Sequence, residues 1–277
     1  MTLDEIIDKA LAEDIGNGDH TSLSTIPATA FGKAKLLIKQ EGILSGVKVA
    51  REVFAKTDPR IRMEELIRDG SKVKPGDIAF TVEGPSASIL MAERLVLNFM
   101  QRMSGIATNT SFYVKRIEGL HTKVLDTRKT TPLLRELEKL AVTHGGGLNH
   151  RFGLYDMILI KDNHVDFAGG IDRAIEAANE YLLRKKLNLR IEIEVRNFDE
   201  LAQVISNGKV HRIMLDNFNP PDLRKAVEII NGRFETEASG GITLETIRSY
   251  AETGVDYISV GALTHHIKSL DLSLKAC

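Results

Sequence analysis

The sequence predicts an α/β protein whose larger part is a six-unit, TIM-like, incomplete α/β barrel. Three observations lead there. From about Lys123 short apolar runs alternate with helically periodic segments six times over. Each of those runs ends in a polar or glycine-rich tail. The first third has a different, mixed rhythm, with Gly and Pro turns between short strands. At 277 residues, 43% of them hydrophobic and 27% charged, the chain has room for such a barrel and a smaller domain before it. The expected boundary gives domains 1–110 and 111–277.

In order along the first part, Leu3–Glu13 reads as a short helix, "FGKAKLLIKQEGIL" as strand and Val47–Ala55 as helix. Strands are expected near Ile61–Ile67 and Ile78–Glu83, and a long helix from Ser86 through "ASILMAERLVLNFMQRMSGIATNT". The stretch "DGSKVKPGDIAFTVEG" has the look of a lipoyl or biotinyl carrier hairpin. A carrier needs a lysine at the tip of a second hairpin, and none is present, so this is a structural turn.

The second part supplies the strands "KVLD", "MILI", "IEIEV", "RIMLD", "FETEA" and "DYISV". Between them Leu133–Leu140, Ile171–Leu183, Asp199–Ser206, Pro221–Ile230 and Leu244–Glu252 have helical periodicity. The tails "DTRKTT", "KDNH", "EVR", "DNF", "SGGI" and "GALT" decide between two parallel-sheet architectures. A barrel gathers all strand C-termini around one mouth. A doubly wound sheet would load only its switch point. All six ends are loaded, which favours the barrel.

The tails also define a candidate site. Arg128 and Lys129 stand where a helix is expected to start, an unfavourable place for two cations beside the positive helix end. With Arg151 and Lys161 they form a basic cluster that is tolerable only with counter-anions. Arginine and lysine suit carboxylate and phosphate groups. "ASGGIT" and "SVGALT" offer freed backbone N–H groups as a phosphate cradle. Glu194 and Asp216 could hold Mg²⁺, accept hydrogen bonds from sugar hydroxyls, or simply neutralise the lysines. His144, His150 and His164 lack a compact metal-ligand spacing, so zinc is not expected. A Schiff-base aldolase with Lys129 or Lys161 as nucleophile would need an apolar pocket, whereas both lysines have polar neighbours.

The net charge of −1 argues against a nucleic-acid partner, and Cys277 alone permits no internal disulfide. The N-terminus lacks a signal-peptide pattern, and no apolar run reaches the roughly 18–20 residues of a membrane span. The expectation is a cytoplasmic protein with no membrane partner.

Eight blocks in order then match one family. "EDIGNGDHTS", "AERLVLNFMQRMSGIAT", "LDTRKTTP", "HGGGLNHRFGLYDMILIKDNH", "IEIEV", "IMLDN", "EASGGI" and "GVDYISVGALTH" together closely resemble quinolinate phosphoribosyltransferase, the carboxylating nicotinate-nucleotide pyrophosphorylase. The resemblance implies an N-terminal α/β sandwich before the barrel, and a C-terminal helix that packs back on it. It implies a homodimer or higher even oligomer, in which the neighbour's N-terminal domain completes each site. The implied reaction joins quinolinate and phosphoribosyl pyrophosphate (PRPP), with Mg²⁺, to give nicotinate mononucleotide, pyrophosphate and CO₂ in de novo NAD synthesis. Carried over position by position, the implied substrate-binding residues are Arg102, Thr127, Arg128, Lys129, His150, Arg151, Lys161, Glu194, Asp216, Ser239, Gly240, Gly241, Val260, Gly261 and Ala262. Lys129, Glu194 and Asp216 are the implied catalytic groups, and Glu194 and Asp216 the implied metal ligands, directly or through water. The closest rival is a related phosphoribosyltransferase acting on nicotinate, for which so many cations would be excessive. Leu133 departs from the family's usual glycine, Leu140 from an aromatic, and His266 from a small residue.

Overall fold

The computed structural model describes residues 2–277, and the chain divides into two compact units. The first holds the residues up to Ser111 together with Thr130–Gly146 and Leu263–Cys277. The second holds Phe112–Lys129 and Gly147–Ala262. The elements up to the middle of the chain are α1 (Leu3–Ile15), α2 (His20–Thr25), β1 (Phe31–Ile38), β2 (Gly42–Ile43), α3 (Val47–Thr57), β3 (Arg62–Glu65), β4 (Lys72–Val73), β5 (Ile78–Pro85) and α4 (Ser86–Arg116). There follow β6 (Lys123–Leu125), α5 (Arg135–His144), β7 (Ile158–Ile160), α6 (Asp162–Ala168), α7 (Ile171–Lys185), β8 (Ile191–Val195) and α8 (Phe198–Asn207). The chain ends with β9 (Arg212–Asp216), α9 (Pro220–Ile230), β10 (Glu235–Ser239), α10 (Ile247–Ala251), β11 (Tyr257–Ser259), α11 (Ala262–His265) and β12 (Leu272–Ala276). No helix among the described residues is long and apolar enough to cross a membrane.

In the first unit an antiparallel sheet runs in the order β12-β1-β5-β3. Alternation along β1 buries Ala34, Leu36 and Ile38 on one face. Phe54 of α3 meets Phe80 of β5 edge to face, with ring centroids 6.0 Å apart. The long α4 adds Val96, Met100, Met103 and Ile106 to the same core. Gly105 lets α4 lie directly against the returning chain, because a Cβ there would collide with the Lys268 carbonyl.

In the second unit six parallel strands run in the order β6-β11-β10-β9-β8-β7, so its edges are the first two strands in sequence. This is the incomplete α/β barrel. Ile191, Ile193 and Val195 of β8 are fully buried apolar residues alternating with glutamates, and Ile213 and Leu215 of β9 are fully buried on either side of Met214. Leu201, Val204, Leu223 and Ala226 of α8 and α9 supply the matching helical stripes.

The structure corrects four expectations. The helix after "LDTRKTTP" starts only at Arg135, six residues beyond Lys129, so the basic pair lies in a loop and not against a helix dipole. That helix, α5, belongs to the first unit, although it follows a barrel strand in sequence. The chain end does join the first unit, but as strand β12 paired with β1, since Leu272, Ser273, Leu274 and Lys275 alternate buried with more exposed positions. The expected helix Leu244–Glu252 is confined to Ile247–Ala251, behind a turn in which the Thr246 hydroxyl accepts from the Thr243 N–H.

Candidate active site

Parallel strands bring their C-terminal ends to one rim, and the second unit contributes every expected site residue except Arg102. Thr127, Arg128 and Lys129 follow β6; the Thr127 hydroxyl accepts the Lys129 N–H at 3.0 Å and shapes that turn. Lys161 follows β7, and its ammonium lies 3.5 Å from Glu194 at the end of β8. Burial lifts Glu194 above its ordinary range, reinforced by the charge of Asp216 and opposed by Lys161. Asp216, ending β9, accepts from Ser239 Oγ at 2.6 Å and from Asn217 Nδ2 at 2.6 Å. Gly240 and Gly241 both have positive φ, and a Cβ on Gly240 would collide with the Asn217 amide oxygen. Two successive left-handed residues after a strand leave backbone N–H groups turned out of the ladder. Val260, Gly261 and Ala262 lead from β11 into α11.

Arg128 and Arg151 carry the electrostatic signature of the site. Neither guanidinium has a carboxylate partner among the described residues; that of Arg151 donates to the Met157 carbonyl, at 3.4 Å. Burial, and then the charge of Arg128, push Arg151 below its ordinary value. Two cations that disturb one another, neither in direct contact with a carboxylate among the described residues, suit an anionic ligand.

Below this rim the barrel interior is charged, which sequence reasoning missed. His150 is 9% exposed, and its Nε2 lies 3.0 Å from Glu192 and 3.3 Å from Glu237. Arg212 donates to Glu237 at 2.9 Å and to Glu235 at 2.9 and 3.0 Å, and its guanidinium sits 4.1 Å over the Tyr257 ring. Burial and the Glu237 charge push Glu192 up to about 7. Burial disfavours a charged His150, yet its bonds to Glu192 and Glu237 more than reverse that and would carry it to about 9. The Arg151 N–H, donated to His150 Nδ1 at 2.7 Å, decides against an imidazolium, which would need a proton on that nitrogen. With His150 Nδ1 accepting the Arg151 N–H, Glu192, raised by burial and by Glu237, is the group of the cluster that most readily takes a proton; His150 Nε2, both Glu192 oxygens and Glu237 Oε1 are buried without a well-aligned hydrogen bond.

His150, Glu192 and Glu237 have ligand atoms within 4.8 Å of one another, the expected spacing notwithstanding. The Arg212 guanidinium already supplies their positive charge, so they do not call for a metal. With the His150 N–H donated to buried Asp126 at 2.8 Å, the cluster fixes the backbone that carries Arg151. His150 therefore supports the site from beneath. A signal existed: "IEIEV" and "FETEA" put a second carboxylate two residues before a strand-end polar residue, where parallel strands are usually apolar throughout.

Arg102 lies in the first unit. Its Nε and Nη2 donate to Glu138 of α5 at 2.9 and 2.6 Å, and Nη2 also donates to Thr131 Oγ1 at 2.6 Å.

A parallel barrel with unneutralised arginines and two carboxylates at its strand ends defines an enzyme class that binds multiply anionic substrates at the mouth. Comparison with known proteins gives the class its family. Residues 19–104 match the N-terminal domain and residues 106–275 the C-terminal domain of quinolinate phosphoribosyl transferase, and the chain belongs to that family. It is 46% identical to the decarboxylating quinolinate phosphoribosyltransferase 2b of Nicotiana tabacum, over 99% of this chain and 82% of the relative. It is 41% identical to the probable carboxylating nicotinate-nucleotide pyrophosphorylase of Bacillus subtilis, over 99% and 93%. The solved nicotinate-nucleotide pyrophosphorylase of Francisella tularensis superposes with a TM-score of 0.94 at 43% identity, covering 99% of this chain and 96% of that one.

Proposed function

We infer that the chain is a quinolinate phosphoribosyltransferase, converting quinolinate and PRPP to nicotinate mononucleotide, pyrophosphate and CO₂. The observation that supports this reading is the Arg128–Arg151 pair, neither in direct contact with a carboxylate among the described residues. Quinolinate brings two adjacent carboxylates and PRPP brings phosphate charge, which these cations, with Lys129 and Lys161, match. The pyridine nitrogen attacks the anomeric carbon while the bond to pyrophosphate oxygen breaks, through an oxocarbenium-like state. Lys129 and Lys161 stabilise the anionic groups, and the glycine turns at Ser239–Gly241 and Val260–Ala262 cradle phosphate. Glu194 and Asp216 orient ribose hydroxyls. The carboxyl group at C2 then leaves as CO₂, its electron pair held beside the pyridinium nitrogen until a proton from water replaces it. No protein base is required for that step, and positioning dominates the catalysis.

Glu194 and Asp216 offer hard oxygen ligands on neighbouring strands, and the Asp216 charge that raises Glu194 would be relieved by a cation, so the pair fits Mg²⁺, directly or through water. Mg²⁺ would supply charge neutralisation for the departing pyrophosphate. We read the working form as a homodimer or higher even oligomer, with Arg102 serving the neighbouring subunit's barrel.

Calorimetric titration tests the dianion reading. Nicotinate has one carboxylate fewer, and losing a charge-assisted bond of about 1.5–3 kcal/mol should weaken binding by roughly tenfold or more relative to quinolinate. Equal affinities would defeat the reading.

A further inference from the structure

We propose that Glu138 is the positioning residue that presents Arg102 to quinolinate. The inference rests on the reading of Arg102 as a substrate-binding group.

Glu138 is a carboxylate on α5 with a side chain only 1% exposed. Both of its oxygens are occupied. Oε1 accepts from Arg102 Nε at 2.9 Å and Nη2 at 2.6 Å, while Oε2 accepts the Thr131 backbone N–H at 3.1 Å. Arg102 Nη2 also donates to Thr131 Oγ1 at 2.6 Å and reaches the Thr264 carbonyl at 3.5 Å. One edge of the guanidinium is therefore clamped by groups from three separate segments. The opposite nitrogen, Nη1, makes no hydrogen bond to the protein among the described residues, and the Arg102 side chain is 30% exposed.

This asymmetry separates presentation from plain structure. A salt bridge that only holds two helices together has no need to leave two N–H donors of one nitrogen unused. An untethered arginine also surrenders considerable side-chain freedom when it grips a ligand, and a guanidinium held on its Nε–Nη2 edge has surrendered it beforehand. The same carboxylate pins Thr131, two residues beyond Lys129, so one buried group restrains both the arginine and the end of the basic loop.

Steady-state kinetics on the full-length protein, varying each substrate separately, provide the test. Glu138→Gln keeps an acceptor and the volume but removes the charge and turns an N–H₂ toward one of two donors. The expected result is a quinolinate KM raised about tenfold or more, with the PRPP KM changed less than about twofold. In an Arg102→Ala background Glu138→Gln should add little further, because the residue acts through Arg102. Thr131→Val removes only the Nη2–Oγ1 bond and should raise the quinolinate KM severalfold; it keeps the test valid if Glu138→Gln does not fold. Equal rises in both KM values, or an undiminished effect of Glu138→Gln on top of Arg102→Ala, would overturn the proposal in favour of a structural salt bridge. Turnover by the wild type with an unchanged quinolinate KM in both variants would overturn this proposal alone. A wild type that does not turn over quinolinate would overturn it together with the functional reading.

Discussion

Replacing Arg212 by Met should expose how the charged barrel interior is balanced. Arg212 is the one full cation among the described residues that touches Glu237, at 2.9 Å, and it lies 3.9 Å from Glu192, both carboxylates being fully buried. Met keeps much of the volume and can still rest on the Tyr257 ring that the guanidinium now covers at 4.1 Å. What is lost is charge. Removing one member of a buried pair costs about 3–5 kcal/mol. Arg212 is 11% exposed, and Glu235 keeps Arg190 at 2.8 Å, which argues for the lower end of that range. A loss of about 3 kcal/mol corresponds to a fall in Tm of roughly 6–12 °C for a chain of this size.

The pH dependence has a definite sign. Glu192 is raised from its ordinary value to about 7, so between those values the native state holds a proton that the unfolded chain has released, and stability falls as pH rises. Without Arg212 the window extends upward. The variant's deficit should therefore be larger at pH 8 than at pH 6, by urea unfolding at both. Arg212→Met with Glu237→Gln should recover most of the loss, because the stranded charge goes with its partner. A deficit below about 1 kcal/mol at pH 8, or a double variant no better than the single, would refute the argument from buried charge.

Two further outcomes follow from local geometry. Leu133 has φ 70° and is 68% exposed, so it bears left-handed strain without burying its side chain; Leu133→Gly should stabilise by up to about 1 kcal/mol in denaturant melts, and a loss of stability would contradict it. Asp58 accepts from the Arg60 side chain and backbone and from Ser88, which hold it well below the usual carboxylate range. Its stabilisation is fully present above the ordinary carboxylate pKa and is lost as pH falls from there through the depressed native value, so Asp58→Asn should cost about 1–2 kcal/mol at pH 7 and progressively less below about pH 4. A deficit independent of pH would show that the ionised carboxylate is not what matters.

What the sequence made legible was periodic and local. Six strands announced themselves through short apolar runs, and the rim residues through the polar tails that end them. The Lys161–Glu194 contact joins two of those tails. Three things were hidden for physical reasons. Glu192, Glu237 and Arg212 sit inside strands, where a charged residue is legible as buried only once cross-strand register places Glu192 beside Arg212 and Glu237 beside Met214. Glu138 looked like one more charge on an amphipathic helix, because its partner Arg102 is 36 positions away. The tail at Leu272–Ala276, expected as part of a helix, is a strand because β1 offers it an edge to pair with.

The most direct test of the whole account is release of CO₂ from carboxyl-labelled quinolinate by the purified protein, with PRPP and Mg²⁺ each present or omitted and nicotinate run in parallel. The account predicts release that requires PRPP and the metal, one nicotinate mononucleotide formed per CO₂, and no nucleotide from nicotinate. Nucleotide formed from nicotinate without CO₂ release from quinolinate would contradict it.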